Sequence, residues 1–376
     1  MPSQNGRPPL NARFFIGPQG WPYLLVPFIV IAIVLEVANA SEELVFFTSA
    51  LGIIPTAALM GRATEELASR SGPGIGGLMN VTFGNAPELI IALFALGHGL
   101  HEVVKASLIG SILGNILLVL GASMLVGGLG RDRQHFNRTA ASVQTSMLLL
   151  AAVALVMPAI FQLVDGGGLP AVGAERVSFG STIETLSAIV AGLLMITYVA
   201  GLVFSLRTHR DIFNPEYEDE STWGWSVRRS VIMLAIAGIA VGVMSEILVS
   251  SISAASESLG LTEFFIGAIV VAIVGNAAEH WVAVIVARKD KMDLSVNIAI
   301  GSSAQIALFV APLLVLVSFF IGPDPMPLVL NGFELAGVVL AVLVANYVTT
   351  EGESTWFEGV QLLAAYAVFA VVFWFA

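Results

Sequence analysis

The chain has 376 residues, 57% of them hydrophobic and only 11% charged, with a mean hydropathy of +0.89. That balance excludes an ordinary soluble domain, and the lack of any cysteine excludes disulfides and thiolate-based metal sites. A formal net charge of −11 argues against a nucleic-acid partner.

From the N-terminus, residues 1–20 carry Arg7 and Arg13 and lead into an apolar segment with no Ala-x-Ala-like site after it, so they read as a tail before a first span, not a cleaved signal peptide. Breaks at Gly, Pro, Asn and charge clusters then predict spans over 22–40, 44–61, 74–97, 103–127, 140–163, 181–206, 229–253, 264–287, 295–321, 327–348 and 356–376. The runs are continuous rather than alternating, which speaks against a transmembrane β-barrel. The longest polar connection holds Asp211, Glu216, Glu218, Asp219 and Glu220 and does not follow the EF-hand pattern, so it reads as a solvated linker.

Two copies of one motif organise these spans. Gly84-Asn85-Ala86-Pro87-Glu88 and Gly275-Asn276-Ala277-Ala278-Glu279 stand 191 residues apart, and the same offset places Gly110-Ser111 on Gly301-Ser302, Glu102 on Asp293 and Leu117 on Leu308. The copies begin in the third and eighth spans, and a separation of five spans reverses their direction through the membrane. The expected fold is an all-α polytopic membrane protein of about eleven transmembrane helices. A tail and first helix (1–42) precede two inverted five-helix repeats (43–206 and 229–376), which an acidic cytoplasmic linker (207–228) joins.

Lysine and arginine set the expected orientation. With the N-terminus in the cytoplasm, fourteen of the 16 fall on that side, including Arg62, Arg70, Arg131, Arg133, Arg138, Arg207, Arg210, Arg228, Arg229, Arg288, Lys289 and Lys291; Lys105 and Arg176 alone fall on the other. An odd number of spans then leaves the C-terminus opposite the N-terminus.

Residues three apart share a helix face, so Asn85 presents its amide with the Glu88 carboxylate, and Asn276 with Glu279. No Lys or Arg lies within either predicted span, and an ionisable group at that depth is costly unless paired or functional. One such Glu reads almost as well as a protonated helix–helix contact; two symmetric copies do not. Together they form an oxygen-rich, doubly negative cage suited to a hard divalent cation such as Ca²⁺. When the cation leaves, like charges in a low dielectric favour proton uptake, and competition for the same oxygens is the physical basis of antiport.

Other residues carry a functional and a plain reading side by side. Gly84, Ala86, Gly275 and Ala277 permit close helix approach. Pro87 lacks an N–H and leaves the Phe83 carbonyl without its helical partner, which gives either a further ligand or a kink; Ala278 makes the second copy different. Ser111, Ser302 and Gln305 offer supporting oxygens or satisfy helix carbonyls. His280 is a proton relay or a packed imidazole, while His98, His101 and His135 are assigned to loops. Glu65, Glu66 and Glu257 put an acid at each mouth, where it draws cations or is simply solvated. Glu36 and Glu246 are secondary proton-path candidates.

Taken together, the paired motifs, the run Leu89 to Leu96 after the first, and His280, Lys291-Met292-Asp293 and Gly301-Ser302-Ser303 around the second resemble the cation/proton exchanger family of the calcium/cation antiporter superfamily. The resemblance runs from about Leu24 to Ala376. It implies Ca²⁺/H⁺ exchange, with Glu88 and Glu279 as ligands supported by Asn85 and Asn276, and with the second and seventh spans sliding as a gate. It implies Ca²⁺ and H⁺ as substrates, the lipid bilayer as surround, no cofactor, no enzyme activity, and a place in a bacterial or archaeal cell membrane. Pro87, where the family more often has Thr, resembles the sodium/calcium branch. Exchange of Na⁺ or K⁺ for H⁺, exchange of Na⁺ for Ca²⁺, and a passive cation channel are the alternatives.

Overall fold

The computed structural model describes residues 14–15, 17, 19–71, 76, 78–79, 82–173, 180–209 and 224–376. Helix follows wherever the apolar runs are long, because a backbone in hydrocarbon must satisfy its own hydrogen bonds. In chain order the helices are α1 (Trp21–Val37), α2 (Glu42–Ala68), α3 (Ala86–Gly97), α4 (His101–Gly128), α5 (Arg138–Val164), α6 (Ser181–Thr208), α7 (Val227–Leu259), α8 (Glu263–Arg288), α9 (Met292–Val317), α10 (Gly332–Thr349) and α11 (Trp356–Phe375). Each meets a predicted span. Among the described residues nine are long and apolar enough to cross a membrane; α1 and α3 are shorter.

The repeat is legible in the helix ends. Ala68 and Leu259 close α2 and α7, Gly97 and Arg288 close α3 and α8, and His101 and Met292 open α4 and α9, all 191 residues apart. Four and nine also carry matching π-helical turns, Gly114–Val119 and Ile306–Val310, which again end 191 apart.

The chain packs as two compact units. The first comprises Met1–Ile91, Ala200–Ala255 and Val274–Glu279, and so holds α1, α2, most of α7 and both motif cores. Its packing rests on small residues: a β-carbon on Gly52 would stand 2.8 Å from Met244 Sδ and 3.5 Å from the Ile29 backbone. Further along, Met60 packs with Ala86, Ala237 and Val241. Rising numbers on α2 meet falling numbers on α7, so these repeat-related helices run antiparallel, as inversion requires.

The second unit comprises Ala92–Val199, Ser256–Ile273 and His280–Ala376. Here α4 and α9 are the most enclosed of the long helices. Gly110 lets α4 approach α8 until a β-carbon would run into the Ala268 carbonyl, and Gly359 of α11 meets Gly121 and Leu125 in the same manner. Tyr198 stacks on Phe309 with ring centroids 5.0 Å apart. The segment 325–331 has no regular secondary structure, and most of it is buried. Side chains satisfy its backbone: Ser318 and Ser187 accept the Met326 and Leu328 N–H groups, Lys105 donates to the Val329 carbonyl, and Glu334 accepts the Asn331 N–H. A two-residue strand pair, β1 (Gln134–His135) and β2 (Glu353–Ser354), joins two connections antiparallel.

Four assignments change. Lys105 is not a loop cation: it lies buried within α4, its ammonium satisfied by a carbonyl. Arg62 likewise lies buried within α2. His101 opens α4 as a buried residue, and His135 sits in β1, its ring 3.5 Å from Glu353. Lys105 rests against a carbonyl, Arg62 against the carboxylates of Glu65 and Glu66, and His135 beside that of Glu353. Arg7, Arg13, Arg176 and Arg210, with the acidic run Asp211, Glu216, Glu218, Asp219 and Glu220, lie outside the described residues.

Candidate cation site

The first motif sits at an interruption. Residues 82–84 are helical, Asn85 forms a turn, and α3 starts at Ala86, with the Leu89 N–H bonded back to the Asn85 carbonyl at 3.1 Å. Pro87 is therefore in the first turn of α3, where a missing N–H is tolerated and the fixed φ suits the helix. The second motif, with Ala278 in place of proline, lies within the unbroken stretch Ala272–Arg288. The half-sites are unequal, as their sequences are.

Within the first compact unit the two copies cross. A β-carbon on Gly84 would lie 3.7 Å from Glu279 Oε1, and one on Gly275 would lie 3.4 Å from Glu88 Cγ and 3.7 Å from Glu88 Oε1. Each motif glycine thus faces the other motif's carboxylate, and Glu88 and Glu279 are near enough to sense each other's charge. Asn85 and Asn276 are buried, 3% and 0% exposed. The buried Oε2 of Glu88 has no hydrogen-bond partner. In a native interior such an atom calls for an explanation, and an ion or proton taken up in function supplies one. Among the described residues no group of three or more His, Asp or Glu side chains comes together. The candidate donors, two carboxylates and two amides, would leave a bound Ca²⁺ to fill its six to eight positions with backbone oxygens and water.

The remaining sequence candidates separate. Phe83 packs its ring on Met60, Ala86, Ala237 and Val241. His280 belongs to the second unit, where its Nε2 meets Asn115 Oδ1 at 3.2 Å. Asn115, on the π-turn of α4, went unnoticed in the sequence; an amide in the apolar run Ile112–Leu120 was the available signal. Ser111 and Ser302 are buried in α4 and α9, and Gln305 is half-buried at the end of the α-helical part of α9. Glu65 is mostly exposed and pairs with Arg62 at 3.1 Å, whereas Glu66 is wholly buried. Glu257, Glu36 and Glu246 are exposed.

Comparison with known proteins follows the same two halves. The profile of the sodium/calcium exchanger protein family matches residues 43–207 and again 229–375. The chain belongs to that family. Within it, this member is 45% identical over 369 residues to the Ca²⁺/H⁺ antiporter ChaA of Bacillus subtilis, covering 97% of this chain and 99% of that one. It is 43% identical over 371 residues to a Ca²⁺/H⁺ antiporter of Aphanothece halophytica, covering 93% and 95%. The solved structure of native YfkE matches with a TM-score of 0.79 at 40% identity, over 94% of this chain and 100% of that one. That of the H⁺/Ca²⁺ exchanger CAX matches with a TM-score of 0.70 at 13% identity, over 95% and 92%, a likeness of fold alone. The cation exchanger family read from the motifs is thus the family found.

Proposed function

We propose that this family member exchanges Ca²⁺ for H⁺ across a cell membrane by alternating access, with Glu88 and Glu279 binding metal and protons in turn and Asn85 and Asn276 adding amide oxygens. The observation that carries this reading is the reciprocal packing of each motif glycine against the opposite carboxylate. It brings two half-buried acids together beside two buried asparagines. Like charges held this way need either a divalent cation or protons, and exchanging one for the other moves net charge little within the site. The Ca²⁺/H⁺ antiporters among the relatives support the choice of ions.

The two matches of the family profile and the shared helix ends support a division into repeats at 43–206 and 229–376. The charge asymmetry supports a cytoplasmic N-terminus and a C-terminus on the far side. Because α2 and α7 lie in one compact unit, they are the candidates for a gate, with Glu65 at its cytoplasmic end. Ser111, Ser302 and Gln305 are proposed to supply supporting, water-mediated oxygens, and His280 a supporting polar contact.

The test is ⁴⁵Ca uptake by purified protein in liposomes under an imposed pH gradient. Glu88→Gln and Glu279→Gln are each expected to abolish uptake while eluting and melting as folded protein. Wild-type uptake by either variant would refute the assignment. Replacing the pH gradient by a Na⁺ gradient decides the counter-ion.

A further inference from the structure

Glu66 lies in the last turn of α2 with none of its side chain exposed. Its two oxygens are used differently. Oε1 accepts Arg62 Nη2 at 2.8 Å, within the same helix, while Oε2 accepts the Trp225 backbone N–H at 2.9 Å. Trp225 is 4% exposed and precedes Val227, the first residue of α7, by two positions. Arg229, in the first turn of α7, holds its guanidinium 4.8 Å from the centre of the Trp225 ring. A carboxylate on one membrane helix is therefore fastened to the start of another.

Buried ion pairs are poor stabilisers, because hydrophobic residues of similar volume do as well or better; what they supply is a fixed geometry. That distinction matters for α2 and α7. Elsewhere these helices meet through Gly52 and Met244 and through Met60, Ala237 and Val241, and apolar contacts of that kind are non-directional. The bond from Glu66 to Trp225 is directional, is shielded from water, and sets their register. Its counterpart 191 residues on, Glu257, is by contrast exposed.

We propose that Glu66, oriented by Arg62, is a positioning residue that clasps α2 to α7 so that the pair moves as one body during exchange. The role rests on the antiport reading above. The acid at this mouth acts through an internal bond, not as a lure for cations.

The full chain in proteoliposomes provides the test. Glu66→Gln keeps an oxygen for the Trp225 N–H and loses the charge, whereas Glu66→Ala loses both. Turnover per folded transporter should fall about tenfold in Glu66→Ala and less in Glu66→Gln, with Ca²⁺ half-saturation moving by less than about twofold. Hydrogen exchange of the peptide containing Trp225 should quicken in Glu66→Ala without a matching change in α4 or α9. Arg62→Gln with Glu66→Gln should lose no more turnover than Glu66→Gln alone. A purely structural role would reduce the yield of folded protein and leave turnover unchanged, and that result overturns the proposal, as does unaltered exchange at Trp225. If Glu66→Ala does not fold, Glu66→Leu, which fills the volume and equally cannot accept the Trp225 N–H, decides on the same two readouts. Wild-type protein in the same vesicles separates the two ideas: absence of Ca²⁺/H⁺ exchange there refutes the antiport reading, while hydrogen exchange still reports whether the clasp holds.

Discussion

Gly275 stands against Glu88, where a β-carbon would lie 3.4 Å from the side chain's Cγ, and Gly84 stands more loosely against Glu279, 3.7 Å from Oε1. Small residues at these places keep the space beside each carboxylate open for whatever it binds. Gly275→Ala should therefore fold at least as well as wild type, since alanine in a helix is favoured by about 1 kcal/mol over glycine. Its methyl group takes space next to Glu88, so Ca²⁺ half-saturation should rise. Paired melting curves and uptake kinetics check this: a stabilised variant with unchanged half-saturation would mean the glycine only packs helices.

Gly110 and Gly301 are repeat equivalents in unlike surroundings. On Gly110 a β-carbon meets the carbonyl of Ala268, which cannot move without shifting α8; on Gly301 it meets Gln144 Nε2 at 3.1 Å, the end of a flexible chain. Gly110→Ala should cost about 1–3 kcal/mol or more by overpacking, and Gly301→Ala should be close to neutral. Thermal unfolding followed by size-exclusion chromatography distinguishes them, and equal losses would contradict the packing described.

Proton competition at Glu88 and Glu279 sets the sign of the pH effect. Lowering the pH adds the competitor, so apparent Ca²⁺ affinity in detergent should weaken as pH falls. If both carboxylates give up protons to the metal, the dissociation constant should change about a hundredfold per pH unit where both start protonated, and about tenfold if one does. Calorimetric titration over a pH series reads the slope directly; a flat line would rule out shared sites.

Lys105 and its carbonyl partner Val329 hold the irregular segment 325–331 against α4. Lys105→Met keeps the aliphatic length and leaves the carbonyl unsatisfied, which should cost about 1–3 kcal/mol. Ser187→Ala, which strands the Leu328 N–H, should cost a similar amount. Both are expected to lower the melting temperature with turnover per folded molecule unchanged.

At the strand pair, the Arg133 guanidinium beside Glu353 holds that carboxyl below the ordinary carboxylate range. A depressed folded-state value stabilises above the unfolded pKa and is lost as pH falls through the folded one. The Arg133–Glu353 contribution to the strand link should therefore be lost in acid, with hydrogen exchange at Phe136, whose N–H bonds the Gly352 carbonyl, as the readout.

Helix positions, the duplicated motif and the family were legible in the amino-acid sequence, because span length, hydropathy and a 191-residue offset are properties of the chain read in order. The inequality of the half-sites was legible too, in Pro87 against Ala278. Partnership was not. Asn115 lies 165 positions from His280, and Trp225 lies 159 from Glu66. Tertiary packing alone decided that Glu66 is buried while Glu257 is exposed, and that Lys105 and Arg62 leave the loops for the interior. A desolvated charge goes where a partner is, and only the folded chain fixes where that partner stands.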